Sequence, residues 1–97
     1  MARTLTVSRV RVRAGAEAEY LACVRELGRL AEGRGWHLWV FRRPDDPGVF
    51  LEFSESRSRE THPTVAERPA DERALEARIR AVAEYARGAD ELWEEVM

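Results

Sequence analysis

The 97-residue chain has no lysine, no asparagine and no glutamine; all sixteen of its basic side chains are arginine. Neither a Schiff-base lysine nor a P-loop lysine is available, and no side-chain amide can serve a mechanism. A lone Cys23 excludes an internal disulfide. It falls among apolar residues at helical spacing and reads as a small core side chain. No stretch approaches the ~20 apolar residues of a transmembrane helix. The opening MARTLTVSRVRVR interleaves charge with short apolar residues where a signal peptide needs a continuous apolar run, so the cytoplasm is the expected location and no membrane partner is expected. Sixteen positive and eighteen negative side chains are scattered to a net charge of −2. No basic face is dense enough to follow a phosphate backbone, so nucleic acid is not an expected partner.

What remains is the composition of a globular chain, 44% hydrophobic and 35% charged. The length suits a single domain over 1–97 that hides only roughly 65% of its unfolded surface, so a monomer is expected to be modestly stable. Leu5 to Val12 reads as a strand, with Val10 and Val12 on one face and Arg9, Arg11 and Arg13 on the other. From Ala16 to about Glu32, Tyr20, Val24, Leu27 and Leu30 or Ala31 recur at helical intervals, with Glu17 and Glu19 in the first turn and Gly33 and Gly35 supplying a left-handed end. Trp36 to Phe41 and Val49 to Phe53 are strands joined through Arg42 to Gly48 as an antiparallel hairpin. Ser54 to Pro69 is read as an extended polar loop. A second helix runs from a cap at Asp71 to about Arg87, with Leu75, Ile79, Val82 and Ala86 as its buried stripe. Leu92 to Met97 fits a helical turn and a short strand equally well.

This order is a ferredoxin-like βαββα(β) plan, an α+β fold with an antiparallel sheet and two helices on one of its faces. The strand from Trp36 is apolar on both faces: Trp36, Leu38 and Val40 on one, His37, Trp39 and Phe41 on the other. Two helices shield one face only, and leaving the second in water exposes a patch that soluble monomers seldom show. Burying each such side chain is worth roughly 1.5–3 kcal/mol. A sheet-to-sheet homodimer follows as the expected assembly.

The strand ending Val10-Arg11-Val12-Arg13-Ala14-Gly15, the helix start Ala16-Glu17-Ala18-Glu19-Tyr20 and the hairpin Trp39-Val40-Phe41 to Phe50-Leu51-Glu52-Phe53 resemble the dimeric α/β-barrel superfamily, which includes antibiotic-biosynthesis-type monooxygenases. The resemblance spans most of the chain. It implies a homodimer whose sheets enclose a barrel, with a pocket between sheet and helices in each subunit. Members that oxidise aromatic substrates without a cofactor are associated with a polar amide and aromatic side chains in the pocket. The amide has no counterpart here, while Tyr20, Trp36, His37, Trp39 and Phe41 are available as ligand-binding residues for a compact apolar or aromatic molecule.

Three residues are candidates for catalysis: His37, Glu52 and His62. Glu52 has His37 or Trp39 as its neighbour across the hairpin, depending on register, and a carboxylate beside an imidazole can shuttle protons. The plainer alternative is a strand acid paired with Arg9 or Arg11. Haem-handling relatives need an axial histidine, for which His62 or His37 is available. The spacing of His37, His62, Cys23 and Glu52 suggests no metal site, and no cofactor is expected. The leading function is a homodimer binding a compact aromatic molecule in the monooxygenase manner. A noncatalytic dimerisation module and a haem-binding protein are the alternatives.

Overall fold

The computed structural model describes residues 2–62 and 67–97. Strand β1 (Thr4–Val12) is followed by helix α1 (Glu17–Glu32), strands β2 (Trp36–Arg43) and β3 (Asp46–Ser56), helix α2 (Ala70–Val82), and the short strands β4 (Ala83–Tyr85) and β5 (Trp93–Glu94). The order across the sheet is β2-β3-β1-β4, with β5 also on β1, and every pairing is antiparallel. This is the ferredoxin-like α+β arrangement, and among the described residues no helix is long and apolar enough to cross a membrane.

Period-two alternation divides the sheet as the sequence suggests. Val10 and Val12 of β1, Trp36 of β2 and Phe50 of β3 are buried together with Tyr20, Cys23, Val24, Leu27 and Ala31 of α1 and Ile79 and Val82 of α2. The other face carries Trp39, Phe41, Leu51 and Trp93, which are 47%, 59%, 37% and 55% exposed. Leu27 lies at the centre of the covered side at 2% exposure. Leu27→Ala should therefore cost about 2–5 kcal/mol, read from the shift of a denaturant midpoint.

Several boundaries differ from the sequence reading. Beyond a bulge between Arg42 and Arg43 the hairpin closes at Pro44-Asp45, so β3 begins at Asp46 rather than Val49. Asp46 pairs with Arg43 across the hairpin, and its Oδ1 accepts from the Gly48 N–H at 3.3 Å. At its other end β3 runs to Ser56, into the stretch read as loop; the rest of that reading lies partly outside the described residues, at 63–66. Gly33 caps α1 in a right-handed conformation, and the left-handed residue is Gly35, at φ +85°.

The second helix stops at Val82 instead of Arg87, and Asp71 is inside it, behind Pro69 as N-cap. Residues 83–85 then take the edge of β1, with Val10 opposite Tyr85 and Val12 opposite Ala83. Ala86 N–H continues the pairing onto the Arg9 carbonyl at 2.9 Å. β5 resumes on the same edge, Leu5 opposite Trp93, so of the ambiguous tail Trp93 and Glu94 are strand and none of it is helix. β4 and β5 are two pieces of one edge lane, separated by residues 86–92.

Candidate functional site

Alternation along β3 sends Phe50, Glu52, Ser54 and Ser56 to the helix side and Leu51, Phe53 and Glu55 to the open side. Glu52 is thus a carboxylate on a central strand, only 9% exposed. Two phenols hold it. Tyr20, from the first turn of α1, donates to its Oε2 at 2.5 Å, and Tyr85 of β4 donates to both carboxylate oxygens at 2.9 Å. The Tyr20 ring is fixed against Phe50, with centroids 4.7 Å apart.

Burial is the main influence on Glu52 and raises its pKa above the ordinary 4.5, while the two phenol hydrogen bonds pull the other way. Burial and the adjacent carboxylate raise both tyrosines far above their usual 10.0. The phenols therefore keep their protons and act as donors, and Glu52 is the group able to take one. Two contacts flank the site: Arg68, just before α2, pairs with Glu76 of that helix at 3.2 Å, and the Arg80 guanidinium of α2 lies over the Tyr85 ring, 4.2 Å from its centre. Burial also raises Glu76.

The raised carboxyl sets a pH dependence whose sign is definite. Above the ordinary carboxylate value and up to the raised one, the folded chain holds a proton that the unfolded chain has released, so stability contributed by Glu52 falls as pH climbs through that interval. Glu52→Gln should flatten this decline in urea-unfolding curves measured at successive pH values. Glu76, raised by burial, keeps part of the decline, while Asp71, Glu26 and Glu95, held low by their arginine partners, and His62, lowered by burial, contribute slope of the opposite sign.

Tyr85 also forms part of the wall of an open cleft of about 440 Å³, with Arg80 and the residues 86–91 that part β4 from β5. Tyr85 thus touches both that cleft and Glu52. The cleft wall is tied to the sheet where Ser8, the β1 residue opposite Glu52, donates to the Ala89 carbonyl at 3.4 Å.

At the far end of the same face, Thr4, Ser56 and Trp36 share a rung. His62 sits there with Nδ1 2.7 Å from the Ser56 hydroxyl, and burial, followed by the Arg68 charge, lowers its pKa below 6.5. Arg68 stacks on Trp36 at 4.1 Å.

The structure separates the residues named from the sequence. Trp36 and Glu52 of the sheet and Tyr20 of α1 meet between sheet and helices, with His62 beside Ser56 at the end of that space. His37, Trp39 and Phe41 stand on the opposite face, so the five aromatic and imidazole residues named for a ligand do not line one chamber within the chain. Glu52 is paired neither with Arg9 nor with Arg11, which lie across the sheet; its cross-hairpin neighbour is Val40. The imidazole and carboxylate that do meet are His37 and Glu55, with Nδ1 3.3 Å from Oε1, and His37 also stacks on Trp39. Among the described residues no group of three or more His, Cys, Asp or Glu could hold a metal ion.

Sequence reasoning missed Tyr85, Glu76, Arg80 and Arg68. Glu72 and Glu76 at helical spacing beside Leu75 and Ile79 were a usable signal, since acids on the buried stripe of a helix demand partners. Glu72 is 1% exposed and is met by Arg34 at 2.7 Å.

No protein-family model matches the chain, and no curated protein does. Solved structures do. SnoaB from Streptomyces nogalater, a cofactor-independent oxygenase, superposes with a TM-score of 0.78 at 14% identity over 100% of this chain and 94% of its own. A candidate antibiotic biosynthesis monooxygenase from Nitrosomonas europaea gives 0.78 at 9% identity over 97% and 90%. Rv0793 from Mycobacterium tuberculosis gives 0.75 at 13% over 98% and 96%. At these identities the likeness is one of fold, and the chain has the ferredoxin-like α+β fold of the antibiotic biosynthesis monooxygenases.

Proposed function

We propose that the chain works as a homodimer that binds a compact aromatic molecule between sheet and helices and oxidises it in a monooxygenase-like reaction, with Glu52 as general base. The observation that carries this reading is the buried Glu52 carboxylate gripped by the hydroxyls of Tyr20 and Tyr85. An oxygenase without a cofactor must draw every electron from its substrate, and a deprotonated phenol or enol gives up electrons far more readily than its neutral form. A desolvated carboxylate is suited to take that proton. A tyrosine released from Glu52 can then donate to the oxyanion that deprotonation creates. For a methylene oxidised to a ketone the balance closes: one oxygen atom enters the product and the other leaves as water.

Self-pairing is supported by the uncovered face, where Trp39, Phe41, Leu51 and Trp93 stand in solvent. His37, Trp39 and Phe41 then belong to the contact between subunits, and Tyr20, Trp36, Glu52 and His62 to the interior of each.

Oxygen uptake by the purified protein tests the reading, using two- and three-ring hydroxyarenes and benzylic ketones with no cofactor added. The expected result is substrate-dependent uptake above the protein-free rate. If no compound is oxidised and none raises the melting temperature of a protein that still sediments as a dimer, the noncatalytic dimerisation module is the better description.

A further inference from the structure

The open face of the sheet has an electrical direction. Val7, Phe53 and Trp39 share its middle rung. On one side lies the rung of Arg9, Leu51 and Phe41; on the other lies the rung of Leu5, Glu55, His37 and Trp93. Arg9 is exposed and has no ion-pair partner among the described residues. At the opposite end, the Trp39 and Trp93 indoles flank a cleft of about 300 Å³ with Leu5 in its lining and Glu55, Glu94 and Glu95 around it. Arg3 is the one cation in that lining and is already engaged, by Glu55 at 3.1 Å and by Glu95 at 2.5 Å. Three carboxylates against one guanidinium leave surplus negative charge beside two aromatic rings, the combination that holds a second guanidinium.

We infer that in the pair of chains proposed above the two-fold axis crosses the strands at the Val7 rung, so that Arg9 of each copy enters the cleft between Trp39 and Trp93 of the other. An axis lying between the sheets and perpendicular to the strands reverses strand direction. It lays the Arg9 end of one copy over the Leu5 end of its mate, the two ends being ~13 Å apart along β1. An axis parallel to the strands sets Arg9 against Arg9 and acid against acid, which like-charge repulsion disfavours. The cleft is therefore completed by the partner, and the central apolar rung is buried in either arrangement. Charge selects the axis; grease supplies the affinity.

This inference rests on self-pairing, and sedimentation equilibrium can separate the two. Wild type is compared with Arg9→Glu, with Glu55→Gln, which keeps the cleft's shape and removes one charge, and with the exchange Arg9→Glu/Glu55→Arg. Because symmetry repeats each contact, Arg9→Glu should weaken dimerisation roughly 100-fold and Glu55→Gln roughly 10-fold, with the exchange recovering most of the loss. Arg9 is exposed, so Arg9→Glu should keep the wild-type circular dichroism. If Arg9→Glu dimerises as tightly as wild type, the axis is wrong while pairing stands. An exchange no better than Arg9→Glu, with a wild-type circular dichroism spectrum, overturns the axis as well. If wild type sediments as a single chain at tens of micromolar protein, the axis and the pairing both fall.

Discussion

Glu52→Gln should lower turnover of an oxidisable aromatic substrate by roughly 10²–10⁴-fold, the usual contribution of a positioned general base. Glutamine keeps the size of the side chain and leaves one oxygen to accept from Tyr20 or Tyr85, but it cannot take a proton from a substrate. Ligand affinity should change far less than kcat, because the shape of the interior is retained. The folded state should not suffer either, since a desolvated charge is removed along with its partial compensation. Tyr85→Phe provides the contrast: it removes a donor and leaves the base, and its effect on kcat should be smaller. Steady-state oxygen uptake with the two variants, alongside a thermal melt of each, checks the pattern. Equal losses in both would point to disturbed packing around β3 and β4 in place of lost proton transfer.

In the self-pairing proposed above, Trp39→Glu should leave only monomers at micromolar protein. Trp39 projects from the middle rung of the open face, 47% exposed in the single chain, and stacks on His37. A large aromatic at the centre of an interface is the kind of side chain whose loss costs roughly 2–4 kcal/mol, and here symmetry removes it twice and sets two carboxylates in the apolar middle of the contact. An increase in the dimer dissociation constant of at least ~10³-fold is expected, which is about 4 kcal/mol. The helix-side core does not touch Trp39, so the monomeric variant should keep its far-ultraviolet circular dichroism. Sedimentation velocity across a concentration series makes the comparison.

The parts of the fold legible in the sequence were those written in long, strong periods. Val10 and Val12 against Arg9 and Arg11, the run Trp36 to Phe41, and the stripe Tyr20, Val24, Leu27 each report a periodicity that burial then enforces. What was not legible was decided by long-range pairing. Ala81 to Arg87 contains no glycine or proline, so nothing local ends the helix at Val82; the free edge of β1 captures Ala83, Glu84 and Tyr85 and pulls them into extended form. That one missed strand hid Tyr85, and with it half of the grip on Glu52. Register supplied the other difficulty. A slip of one residue along β3 exchanges its two faces, so a reading unable to fix the hairpin register could place Glu52 beside His37 on the open side, where Glu55 stands instead. Glu52 itself was visible as an acid among apolar neighbours; its partners came from α1 and β4, elements remote in sequence.

The most direct measurement is the infrared difference spectrum between the ligand-bound and free protein for a bound hydroxyarene, recorded for wild type and Glu52→Gln. Proton transfer to Glu52 should replace its carboxylate stretch with a protonated carboxyl band as the ligand's phenolate signature appears, and both changes should be missing in Glu52→Gln. A ligand that binds fully while the Glu52 carboxylate band stays unchanged would contradict the assignment of Glu52 as the base.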